Sequence, residues 1–275
     1  MSKDITVRVV SAIIGLILFF IVTFANQLIL DLVLGVLILF MLFEFFHAFK
    51  FGFLLSSVGL VGTAALLCVL SLGRYDFFVF ALIAYIVLLG AISIFRHEKI
   101  SFTDIATVLF ATVYVGFFPS FIARIRSLDE NGLYYLFLIF VCAWMTDTGA
   151  YFCGRFFGKH KLAPNISPKK TVEGAIGGIV CAVIGCIILG AVAYYINDAS
   201  PRYVALALVG VVGSCLAQLG DLFASLIKRT CGVKDFGNIM PGHGGALDRF
   251  DSVIMVSPFI YYLCLFLAEG GMTLL

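Results

Sequence analysis

The sequence predicts an all-α fold, a polytopic integral membrane bundle of about nine transmembrane helices with a cytoplasmic N-terminus. Three observations carry that prediction. Of 275 residues, 62% are hydrophobic and 12% charged, against about 25% charged in a soluble domain. Mean hydropathy is +1.12, and the apolar residues come in runs of about 20, the length that crosses a bilayer core. Finally, Lys and Arg are shared unequally among the connections, as cytoplasmic retention of positive loops requires.

The first run follows Lys3 and Arg8. Phe19, Phe20, Ile21 and Val22 extend it and no small-residue cleavage pattern closes it, so it reads as a retained span and not a signal peptide. Further spans are expected near 28–46, 52–72, 77–95, 102–122, 132–152, 171–196, 202–227 and 252–274, with the first near 8–25. With the N-terminus inside, 14 of the 18 basic residues lie on the inner face; only Arg74, Arg124, Arg126 and Arg202 lie outside. An odd number of spans then places the C-terminus outside. Residues 1–130 form an N-terminal region of about five spans, whose Asp31, Glu44, Asp76 and Asp104 sit near span ends and read as interfacial anchors. Residues 131–275 form a C-terminal catalytic region with Gly-rich spans and two long, charged inner loops. The eight cysteines lie mostly in apolar runs without CxxC or Cys/His spacing and read as small hydrophobes. The run Gly174-Ala-Ile-Gly-Gly178 suits close helix packing.

The first inner loop begins with Asp147, expected about a turn from the cytoplasmic end of its span. An acid inside a span is costly and marks a functional site unless a neighbouring base pairs with it. Lys169 and Lys170 precede the next span, which Ser167 or Thr171 would cap. Free N–H groups with adjacent lysines suit an anion, although basic inner loops also serve topology and anionic lipid. The second loop, Ser225 to Asp251, is denser. Asp221, Ser225 and Lys228 share one helix face, extended inward by Gln218, and Asp248 and Asp251 share another. Between them Pro241-Gly-His-Gly-Gly245 can turn sharply and approach a ligand closely. Acids with several bases are the pattern of a site for divalent metal and phosphate, because Mg²⁺ takes carboxylates plus substrate phosphates and Lys and Arg neutralise the remaining charge. No Walker or dinucleotide fingerprint is present. A transporter stays open as the rival class, since intramembrane acids and Gly-interrupted helices also mark ion pathways.

Two stretches resemble one family. The run Ser225-x-x-Lys228-Arg229-x4-Lys234-Asp235-x-Gly237-x3-Pro241-Gly-His243-Gly244-Gly245-x2-Asp248-Arg249-x-Asp251 is similar to the signature of phosphatidate cytidylyltransferases, the CDP-diacylglycerol synthases. Asp147-Thr-Gly-Ala-Tyr-Phe and Ser167-Pro-Lys-Lys-Thr-Val-Glu173-Gly upstream also look like that family. The resemblance implies an enzyme of the cell membrane, its active site facing the cytoplasm, that converts CTP and phosphatidate to CDP-diacylglycerol and pyrophosphate. It also implies Mg²⁺, with K⁺ as a possible second cation, and a homodimer among membrane lipids; no nucleic acid partner is expected. The expected metal ligands are Asp221 and Asp248 first, then Asp251 and Asp147. Lys228, Arg229, Lys234, His243 and Arg249 are the expected catalytic residues, and Ser225, Lys169, Lys170, Gly244 and Gly245 the substrate-binding ones. His243 could equally be structural in its turn. A related enzyme acting on another lipid phosphate remains the nearer alternative.

Overall fold

A computed structural model of the chain describes residues 3–197, 200–237, 244–269 and 273–275. Among them are nine helices: α1 (Lys3–Phe24), α2 (Gln27–Ala48), α3 (Phe53–Ser71), α4 (Tyr75–Phe95), α5 (Phe102–Arg126), α6 (Gly132–Phe157), α7 (Val172–Asn197), α8 (Tyr203–Thr230) and α9 (Leu247–Glu269). Eight of the nine, α2 to α9, are long and apolar enough to cross a membrane. The described apolar stretch of α1 is Val10–Phe24. This is a multi-pass membrane protein.

The chain separates into two compact units. The first joins Met1–Ser120 to Asp235–Arg249, and the second joins Phe121–Lys234 to Phe250–Leu275. Helix α9 thus begins in the first unit and continues in the second.

In the first unit α2 starts where the Asn26 side chain accepts from the Ile29 N–H at 2.9 Å, satisfying a donor that the first turn leaves without a partner. Leu30, Leu34, Ile38, Met41, Leu42, Phe45 and Phe46 recur at helical spacing and form its buried stripe. Helix α5 opens on a reciprocal box in which Ser101 accepts from the Asp104 N–H and Asp104 accepts from the Ser101 N–H. Its middle, Thr112–Phe117, widens into a π-turn. There the Thr112 hydroxyl lies 3.0 Å from Thr63 of α3 and 3.3 Å from Tyr85 of α4, so three buried hydroxyls satisfy one another where the ordinary ladder is interrupted.

In the second unit α6 and α7 pack along a seam of small residues. A Cβ at Gly149 would meet Cys181 Sγ at 2.6 Å and the Gly177 carbonyl at 2.7 Å, so the backbones touch only because both residues lack one. The polar seam of this unit is built on the same helices. Thr146 donates to Ser214 at 2.8 Å, and the Gln218 amide donates to the Ala175 carbonyl at 3.1 Å.

Two features depart from the sequence expectation. Helix α6 runs on to Phe157, so Asp147 lies ten residues inside its end, about 15 Å along the axis. Polar Asp147 and Arg155 lower the local hydropathy without breaking the helix; no proline intervenes before its cap at Gly158. The connection between α6 and α7 also folds into a hairpin of strands β1 (Lys161–Ala163) and β2 (Ser167–Thr171), antiparallel with Lys161 opposite Thr171. Thr171 closes β2 and caps α7, its hydroxyl accepting from the Gly174 N–H at 3.1 Å.

Candidate functional site

The second unit gathers most of the predicted acids. Asp221, Ser225 and Lys228 come from one face of α8, Asp147 from α6, and Asp251 from α9. Asp251 is 8% exposed, and the charged groups that act on it are Asp221, Lys228 and Asp147. Three carboxylates around one buried position repel each other, and the buried Lys228 ammonium offsets part of that repulsion. Asp147 accepts from the Ser252 hydroxyl at 3.3–3.4 Å, while the Ser252 N–H donates to Asp251 Oδ1 at 2.8 Å. Ser252, 3% exposed, therefore links two of the acids through one residue. The sequence reading passed over it, although it directly follows Asp251 at the end of the signature.

The hairpin brings bases to the same unit. Lys170 forms an ion pair with Asp221, both about one-quarter exposed. Lys169, next along β2, is exposed. Arg229 is exposed, and its Nε donates to the Ile166 carbonyl of the hairpin turn at 3.4 Å. The backbone N–H groups of Lys159 and His160 donate to the Glu173 carboxylate at 3.0–3.3 Å, and its Oε1 lies 2.6 Å from His160 Nδ1. Glu173 at the start of α7 thereby ties the strand that leads into the hairpin. Lys234, at the edge of this unit, is exposed.

Other predicted residues belong to the first unit. Asp248 is 7% exposed, and its Oδ2 accepts from the Phe236 N–H at 2.9 Å and the Gly245 N–H at 3.0 Å. It draws together the chain at Phe236 and at Gly245. Gly244 adopts φ +84°, a conformation favouring glycine, and a Cβ there would meet Asp248 Oδ2 at 3.1 Å. Gly245 is buried and Arg249 exposed. His243 lies outside the described residues.

Glu44 overturns its expected role as an interfacial anchor. It is 4% exposed, and its carboxylate accepts from the Ala246 N–H at 3.1 Å and the Leu247 N–H at 2.9 Å. Nothing near Glu44 in sequence signals this, because the partners lie more than 200 residues away.

Among the described residues, no three His, Cys, Asp or Glu side chains form a group ready to hold a metal ion by themselves. The donors present are nevertheless hard oxygens, and Mg²⁺ usually takes one or two carboxylates plus phosphates and water. Asp221 and Asp251 fit that requirement.

A polar constellation of acids and bases set among membrane-spanning helices has the chemistry of an integral membrane protein that handles phosphates. The family model described as the cytidylyltransferase family matches residues 6–267, and the chain belongs to that family. It is 37% identical over 268 residues to a phosphatidate cytidylyltransferase of Bacillus subtilis (strain 168), covering 94% of this chain and 97% of that one. It is 38% identical over 262 residues to one of Staphylococcus saprophyticus, covering 94% and 98%, and 37% identical over 262 residues to one of Staphylococcus aureus (strain COL), with the same coverage.

Proposed function

We propose that the chain is a phosphatidate cytidylyltransferase, which transfers CMP from CTP to phosphatidate to give CDP-diacylglycerol and pyrophosphate. A phosphate oxygen of phosphatidate attacks the α-phosphorus of CTP. As that P–O bond forms, the bond from the α-phosphorus to its bridging oxygen breaks, and pyrophosphate carries away the electron pair. Such a transfer depends mainly on positioning and charge neutralisation. The observation that carries this reading is the gathering of Asp147, Asp221 and Lys228 around the buried Asp251, with Lys170 of a basic hairpin paired to Asp221, in a chain of this family.

Lys228, Arg229 and Lys234 hold the triphosphate and the lipid phosphate, with Lys169 and Lys170 extending the basic surface along the hairpin. Ser225, on the same face of α8 as Lys228, completes the substrate contacts of this unit. Asp221 and Asp251 would hold Mg²⁺, which would spread the charge of the triphosphate. Because Asp248 Oδ2 already serves two backbone N–H groups, its first task is to organise the loop. The site faces the cytoplasm, the side on which CTP is found and to which the positive-inside count assigns these loops.

Purified protein with labelled CTP, phosphatidate and Mg²⁺ should produce labelled CDP-lipid and release pyrophosphate, and a chelator should stop both. Absence of CDP-lipid under these conditions sinks the reading. Faster transfer to a different lipid phosphate would retain the enzyme class and reassign the acceptor.

A further inference from the structure

Glu44 has no part in the chemistry of that site, although it is among the most buried charged groups described. A carboxylate one turn from the end of an apolar helix is kept only where donors compensate it. Here the donors are the Ala246 and Leu247 N–H groups, at 3.1 and 2.9 Å, where α9 begins. Those N–H groups have no partner within their own helix, and the positive end of the helix dipole favours an anion there. Glu44 therefore caps α9 from a different helix, α2.

Its neighbours are shaped around it. A Cβ at Gly245 would stand 2.6 Å from both Glu44 oxygens, and one at Gly237 would collide with the same carboxylate. The adjacent Phe45 ring stacks on Phe236, with centroids 6.1 Å apart and planes at 21°. Asp248 Oδ2 then binds the Phe236 and Gly245 N–H groups. Two carboxylates, one from α2 and one from α9, thus divide the donors around this turn: Glu44 takes Ala246 and Leu247 and packs on Gly237, and Asp248 takes Phe236 and Gly245. Glu44 holds the backbone onto α2, and Asp248 holds it onto the first turn of α9. All of these contacts lie within the first unit.

We propose that Glu44 is a positioning residue for nucleotidyl transfer: it fixes the start of α9 and the glycines beside it, and so sets the direction of Asp248. The inference rests on the cytidylyltransferase reading above. Glu44 touches no substrate in this account; it acts through Gly237, Gly245 and the helix start.

The full-length protein in lipid–detergent micelles allows a test with E44Q and E44D. E44Q keeps the shape and loses the charge, whereas E44D keeps the charge on a shorter arm. Three readouts are needed: deuterium exchange at the Ala246 and Leu247 amides, steady-state kinetics with CTP, and thermal unfolding. In E44Q, exchange at those amides should accelerate at least tenfold. Its kcat should fall by about 10- to 100-fold, the scale of a displaced catalytic group, with KM for CTP within threefold of wild type. E44D should recover part of both losses. Wild-type exchange and kcat in E44Q would overturn the proposal. So would a loss of activity that tracks only the fraction unfolded, with the folded enzyme turning over normally. If wild-type protein makes no CDP-lipid, the functional reading falls separately. Glu44 as the cap of α9 is still judged by the exchange measurement, while its link to catalysis fails with the reaction.

Discussion

Asp147, Asp221 and Asp251 are held by different kinds of partner, and those partners decide what each can do. Asp147 takes the Ser252 hydroxyl, Asp221 takes the Lys170 ammonium, and Asp251 lies buried among charges. An acid paired with a lysine can release it for a cation, so under the proposed function Asp221 would be the first acid to take Mg²⁺. Replacing it by Asn should lower cytidylyl transfer at least about a hundredfold, the scale of losing one group that stabilises developing charge. Unfolding temperature should change little, and near-normal turnover would remove Asp221 from the metal role. Ser252→Ala should cost less, about ten- to a hundredfold, because Ser252 only orients ligands. These acids were legible in the sequence because charges inside apolar runs stand out. Ser252 and Glu44 were not, since a serine is unremarkable in a span and the partners of Glu44 are distant in the chain.

At the level of elements, apolar length located α2 to α9 well, because crossing a bilayer needs a run that few other structures need. It failed at the end of α6, where hydropathy falls before the helix does; α6 continues through Arg155, which donates to Tyr151 one turn back at 2.8 Å. The hairpin was hidden because its strands are three and five residues long. The small-residue seam was legible, and it is where α6 and α7 are most sensitive to change. Gly149→Ala puts a methyl against Cys181 and the Gly177 carbonyl, and should destabilise by about 1–3 kcal/mol, the usual cost of overpacking. Gly35→Ala on α2 is the control, since nothing lies within 4 Å of its added carbon. Thermal unfolding in detergent should separate the two variants, and equal midpoints would argue against a tight seam.

For the whole molecule, family membership and multi-pass architecture follow from the sequence, whereas sidedness rests on charge counting alone. The signature also proves to be shared between folding units, because Asp235–Arg249 joins the N-terminal helices while Phe250 onward does not. The positive-inside count would put Arg74, Arg124, Arg126 and Arg202 on the outer face, and the reversed orientation would put fourteen positive charges there instead. Cys231, just beyond the end of α8, offers a direct probe of this orientation. In a variant whose only cysteine is Cys231, an impermeant maleimide should label the protein after permeabilisation and leave intact cells unlabelled. Burial holds this thiol above its ordinary pKa, and the thiolate is the form that reacts. Its labelling rate should therefore be low near neutral pH and keep rising with pH beyond the point where a free cysteine levels off. Labelling in intact cells would place the loop outside and remove the bases from the face where CTP is found. A rate that levels off at the ordinary cysteine range would show instead that the end of α8 is open to water.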